Sequence, residues 1–132
     1  MAKKLIIVAV VLFILALPLI IISNYSMGLM ENYAEKNMGN LSAPDWLMKI
    51  GSVYRWTFRA NHGVVVYNNF MSRYPTHARY PEAKWWLAYC LEQSMQTKEA
   101  GRHYEEYADW YPDRPDAAIA RQKANNLKYR PY

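Results

Sequence analysis

The side chains able to do chemistry in this chain are few and scattered. His62, His77 and His103 fall on different predicted elements, none stands at i, i+4 from a second ligand, and no His-Glu-x-x-His spacing occurs. They are therefore not expected to hold a metal or to activate a nucleophile. Glu105, Glu106 and Asp109 crowd one predicted helix, where Glu105 and Asp109 share a face one turn apart. A carboxylate pair does acid–base work when an apolar pocket moves one of its pKa values. The sequence pattern writes no such pocket here, and the pair reads as a solvated face. Cys90 is the sole cysteine, so no internal disulfide or thiolate cluster is expected. Inside the apolar stretch Trp85–Leu91 it reads as a small buried hydrophobe. There is no phosphate-binding glycine loop. The expectation is a chain with no catalytic residues, no cofactor and no metal, hence no enzyme.

What remains is the chemistry of recognition. The chain has 132 residues, room for one small domain and an anchor. Its 12 Tyr and 5 Trp start only at Tyr25, and each buries a large area, enough to hold a compact core. The formal charge is +5, but Lys3 and Lys4 precede the apolar N-terminal run. Without them 14 basic residues face 11 acidic ones, about +3, too mild and mixed a balance for a nucleic-acid partner.

Leu5 to Ile22 reads LIIVAVVLFILALPLIII, with no charge and one helix breaker, Pro18. As a helix it reaches about 27 Å, a bilayer core, and it has no polar face. Pro18 near its end is tolerable in a membrane helix. A cleaved signal peptide would need a small-x-small site, and Ile20, Ile21 and Ile22 stand where that site would be. No lipobox cysteine follows. The segment 1–24 is therefore expected to be a retained single-pass anchor in the inner membrane. Lys3 and Lys4 before it, against Lys36 among Glu31 and Glu35 after it, place the N-terminus inside and the domain on the periplasmic or extracytoplasmic side. The segment 25–43 reads as a juxtamembrane linker broken by Gly28 and Gly39. Leu29, Met30, Tyr33 and Ala34 could make one side of a short helix there, either near the membrane surface or against a partner subunit.

Beyond Pro44 the chain repeats itself. Tyr67, Phe70, Tyr74 and Pro75 correspond to Tyr104, Tyr107, Tyr111 and Pro112 at a constant offset of 37. A polar turn and then Pro-acid-Ala follow each Tyr-Pro, as Pro81-Glu82-Ala83 and Pro115-Asp116-Ala117. Such a period marks a helical repeat array, in which each helix pair buries its apolar face against the next. Gly51, Gly63, Ala88 and Ala100 allow close helix approach, and Tyr54, Tyr67 and Tyr104 fill the space beside them. Five helices are predicted, at about 44–60, 63–74, 81–94, 98–111 and 115–128, the last a polar cap. Thr97 and Asp113 suit N-caps, and Pro44, Pro81 and Pro115 suit first-turn positions.

Residues 44–128 resemble tetratricopeptide repeats. Counted back from the closing proline of a repeat of about 34 residues, Leu47, Ile50, Gly51 and Tyr54 take the motif positions of the first helix. Gly63, Tyr67, Phe70 and Pro75 take those of the second. Leu87, Ala88 and Leu91, then Ala100, Tyr104, Tyr107 and Pro112, do the same in the second repeat. Trp46 is displaced from the usual Trp position, and Leu91 and Tyr107 stand where Tyr and Ala are usual. The Tyr-Pro style is similar to envelope members such as outer-membrane assembly lipoproteins and cell-division coordinators.

The resemblance implies an all-α superhelical domain over 44–132, of about two and a half repeats, whose first helices line a concave face. Matched positions put Met48, Ser52, Arg55 and Trp56 there from the first repeat, Trp85, Tyr89, Glu92 and Gln93 from the second, and Lys123 from the cap. Trp85 and Trp86 point about 100° apart on a helix, so one of them could be exposed. Arg121, Lys123, Lys128 and Arg130 form a basic tail able to touch anionic lipid or an acidic partner. The expected function is a membrane-anchored scaffold or accessory subunit docking on a larger membrane or envelope protein complex. A pilus-like filament subunit, with the apolar helix in the fibre core, and a peptide-binding receptor are the alternatives.

Overall fold

The computed structural model describes residues 2–21, 23–37, 39–40 and 42–129. Among them the fold is all α, with seven helices and no strand: α1 (Ala2–Ile21), α2 (Asn24–Lys36), α3 (Ala43–Trp56), α4 (Ala60–Arg73), α5 (Tyr80–Gln93), α6 (Thr97–Trp110) and α7 (Ala117–Lys128). From α2 onward each helix packs on the one before it and the one after it. This is the nearest-neighbour arrangement of a helical-repeat stack.

Helix α1 stands apart. Leu5 through Leu15 are exposed, and its principal contact is with the start of α2. Pro18 lies inside the helix without ending it. Among the described residues no helix is long and apolar enough to cross a membrane. The described side chains of the expected span stop at Pro18, and its last residue, Ile22, lies outside the described residues.

Helix α2 occupies the segment expected to be a linker. Ser23 caps it, its hydroxyl accepting from the Ser26 backbone N–H at 3.3 Å. Met27 and Ala34 are buried in the common core, and the Tyr54 hydroxyl donates to Glu31. The core therefore starts at Met27, ahead of the expected boundary at 44. Gly28 lowers helix propensity by only about 1 kcal/mol, less than the burial of Met27 returns.

The five later helices fall where the 37-residue period puts them, with ends shifted by up to four residues. Tyr74 and Tyr111 close α4 and α6 with nearly the same backbone, φ −127° and −130°, before Pro75 and Pro112. Gly51 and Gly63 are close-approach sites: an added Cβ would lie 2.5 Å from the Tyr67 ring at the first and 2.7 Å from Cys90 Sγ at the second. Pro44 and Pro81 sit in first turns as expected. The expected caps are displaced. Gln96 and Asp116 hold the positions assigned to Thr97 and Asp113, neither through its side chain, and Pro115 precedes the α7 cap. Local turn geometry fixes these boundaries, and a proline or threonine alone does not.

The short connections require antiparallel neighbours. Three residues between α3 and α4, or between α5 and α6, cannot run back along a helix of about 21 Å. Side-chain pairs agree, since Tyr33 meets Trp46 while Glu31 meets Tyr54 further along α3. At the far end of the stack Asp109 meets Arg121 and Glu105 meets Lys128. One end of the stack thus gathers the start of α2, the α3–α4 and α5–α6 turns, and the end of α7. The opposite end gathers the other connections.

Candidate functional site

The first helices of the pairs, α3 and α5, and the cap α7 share one face, built by interlocked aromatic and charged side chains. Ser52 Oγ donates to the Met48 carbonyl at 2.9 Å and is 3.2 Å from an Arg55 guanidinium nitrogen. Arg55 Nε donates to the Tyr67 hydroxyl at 3.0 Å, and the guanidinium lies 3.4 Å from the Trp86 ring centroid. That stack is a cation–π contact between α3 and α5. Trp86 in turn meets Tyr89 edge-on, with centroids 5.8 Å apart. Further along, Glu92 accepts from the Tyr104 hydroxyl at 3.0 Å and from Lys123 Nζ at 2.8 Å, which ties α5 to α6 and α7. At the other edge Arg79 forks onto Glu82 at 2.8 and 2.9 Å and reaches Asp45 at 3.0 Å.

The electrostatics follow from these contacts. The Arg79 fork holds the Glu82 carboxyl below the usual carboxylate range. Burial, reinforced by the Glu92 carboxylate, pushes the Tyr104 phenol well above its ordinary value. Burial pushes Tyr67 up as well, while Arg55 works against that rise. The face presents donors, acceptors and rings that hold one another in place.

Of the residues expected on this face, Ser52 and Arg55 meet and reach Tyr89 through Trp86, Glu92 holds Lys123, and Gln93 is exposed on α5. Met48 is buried in the core at 1% exposure and presents no side chain outward. Trp85 turns inward, edge-on to Tyr104 and Tyr107 at 5.4 Å each. Trp56 is exposed but sits at the end of α3, beside the turn. Trp86 is the tryptophan of the face, and its place was readable in the row Glu82, Trp86, Tyr89, Gln93, spaced by one helical turn.

A second cluster was missed altogether. Lys84 is 1% exposed, with Nζ 2.7 Å from Glu106 Oε2 and 4.0 Å from the Trp110 ring centroid. The 37-residue offset maps Leu47 onto Lys84, so the repeat itself marked this charge as facing the core. Partial burial raises the Glu106 carboxyl, but Lys84, Arg102 and His103 outweigh it and leave it below its ordinary value. Nearby, burial and the charges of Lys84 and Arg102 hold the His103 imidazole below its ordinary value. His103 Nδ1 is buried without a hydrogen-bond partner.

The remaining candidates have plain structural places. Cys90 is buried and unpaired, and burial pushes its thiol up to about 11. His62 stacks on Tyr54, and His77 packs edge-on to Phe70. Glu105 and Asp109 pair with Lys128 and Arg121 of the basic tail at 2.8 and 2.9 Å. Lys123 is held by Glu92, and Arg130 lies outside the described residues. Among the described residues no three His, Cys, Asp or Glu side chains are grouped to hold a metal. The chain matches no protein-family model and no curated protein.

Proposed function

We propose that this protein is a membrane-anchored scaffold or accessory subunit of the tetratricopeptide-like kind, docking on a larger membrane or envelope complex without catalysis. The apolar run from Leu5 to Ile22 spans the inner membrane with the N-terminus inside. The helical stack stands on the extracytoplasmic side. The observation that carries the reading is the face across α3, α5 and α7, where Arg55 lies on Trp86 and Glu92 joins Lys123 to Tyr104. Arg and Trp dominate the energetics of protein interfaces, and side chains already held in place lose little entropy on binding. The exposed apolar surface of α1, apart from the stack, supports the anchor.

The test is purification of the full chain through a C-terminal tag in mild detergent, read by mass spectrometry and native sizing. A stoichiometric set of membrane proteins should accompany the wild type and be lost from Gln93→Arg, a change on the exposed edge of the face. A lone monomer would overturn the scaffold in favour of a transient peptide receptor. A ladder of homopolymers would overturn it in favour of a filament.

A further inference from the structure

Two turns of the stack share an unusual backbone. Phe58 and Met95, 37 residues apart, have φ of 57° and 62°. These are the positive-φ non-glycine residues of the described chain. Each sits just past the end of a first helix. Around Phe58, Arg59 N–H bonds the Tyr54 carbonyl at 2.9 Å and Phe58 N–H bonds Arg55 at 3.4 Å. Around Met95, Gln96 N–H bonds Leu91 at 2.9 Å and Met95 N–H bonds Glu92 at 3.1 Å. This is the Schellman ending, whose left-handed position is usually filled by glycine. A large apolar side chain there is strained and, in this protein, gains no burial: Phe58 is 96% exposed and Met95 80%. Strained residues of this kind persist where function holds them.

Both turns lie at one end of the stack. Antiparallel stacking puts both turns at the end of the molecule where α1 leads into α2. Asn24 follows Ile21 within about 11 Å of chain. Trp56, Tyr25 and Tyr129, exposed at 81%, 78% and 85%, stand at the same end. Lys98 and Lys128 are exposed there, as is Glu99, and Lys128 also pairs with Glu105. Lys98 and Lys128 line a depression of about 370 Å³ between α6 and α7. The opposite end also exposes an aromatic, Trp110, and carries Arg79 and Arg114, but it has no left-handed apolar tip among the described residues. Its turns are Tyr-Pro-Thr-His-Ala-Arg and Tyr-Pro-Asp-Arg-Pro-Asp, with Asp45, Glu82 and Asp109 close by.

We infer that this end of the stack seats on the lipid surface, with Phe58, Met95 and Trp56 dipping into the interface and Lys98 and Lys128 meeting anionic headgroups. Aromatic and apolar tips beside basic residues are the chemistry of a bilayer interface. A juxtamembrane basic pair adds attraction to anionic lipid. The seating fixes the tilt of the repeat face relative to the membrane. It rests on the anchor reading, because the membrane reaches this end through α1.

The test uses the full chain in phosphatidylcholine–phosphatidylglycerol vesicles carrying a spin-labelled quencher high on the acyl chain or, for the probe at position 13, near the chain's end. An environment-sensitive fluorophore is placed in turn at Phe58→Cys, Met95→Cys, Asp113→Cys and Phe13→Cys. Buried Cys90, with its raised thiol pKa, stays unlabelled at neutral pH. Probes at 58 and 95 should be quenched several-fold more than the probe at 113. If they behave like 113 while 13 is quenched, the seating is wrong and the anchor stands. If 13 is unquenched as well, the anchor fails and the seating with it. The double variant Phe58→Gly with Met95→Gly separates strain from seating. It should unfold at a higher urea concentration in detergent and yet lose most of the quenching of a probe at Gln96→Cys, exposed in the same turn. Unchanged quenching in that folded variant would overturn the proposal.

Discussion

Among the described residues Lys84 is a charge held inside the core, at 1% exposure. Lys84 gives up its hydration inside the α5–α6 contact and is repaid by Glu106 at 2.7 Å and the Trp110 ring. Removing the acid strands the charge, whereas removing the charge leaves an acid that keeps water and Arg102 at 2.9 Å. Glu106→Gln is therefore expected to lower stability by about 2–3 kcal/mol, below the figure for a fully buried pair. Lys84→Met should stay within about 1 kcal/mol of wild type, because its volume still fills the site. Urea unfolding of the two variants checks both values, and equal losses would show that the pair acts only through packing. Gly51, Gly63 and the repeated tyrosines were legible as residues because size and periodicity encode them directly. Lys84 was passed over because a charge does not register in a search for apolar spacing. Which of Trp85 and Trp86 faces outward stayed open in the sequence, because neighbouring residues on a helix differ by about 100° and a single repeat does not fix the register that finely.

At the scale of elements, stability and use pull apart in the α3–α4 and α5–α6 turns. A glycine at Phe58 or Met95 would adopt the left-handed backbone without the clash of a Cβ. Each replacement is expected to raise stability by about 1 kcal/mol, additively because the turns lie in separate repeats. Thermal or urea melts of the single and double variants check this, and a loss of stability would mean that the exposed side chains pack in solution. These turns were invisible in the sequence because their usual signal is the glycine that they lack. Helix α2 was legible only as a short helix open to the linker, with Ala34 on its apolar side. Gly28 and Gly39 suggested a linker, but Met27 and Ala34 find the core only once α3 is in place. The helices from α3 to α7 needed no such tertiary rescue, since Tyr-Pro terminators and the 37-residue period mark them locally.

At the scale of the molecule, a stack of short helices stands on an apolar helix that takes little part in its core. The all-α repeat architecture was readable from one self-comparison of the chain, because a stacked array writes its contacts as a period. The face across α3, α5 and α7 was readable only in part. Repeat positions name the helix surface, but contacts between helices decide which side chains stay outside, and they withdrew Met48 and Trp85 while bringing forward Trp86. The proposed scaffold role requires a partner on the face of α3, α5 and α7. The most direct measurement is photo-crosslinking in the protein's own cells, with a photoreactive side chain at Gln93 on that face and, separately, at Val65, exposed on α4. A discrete protein adduct at 93 and none at 65 is the expected result. Adducts at 65 alone, or at neither position, would contradict docking through this face.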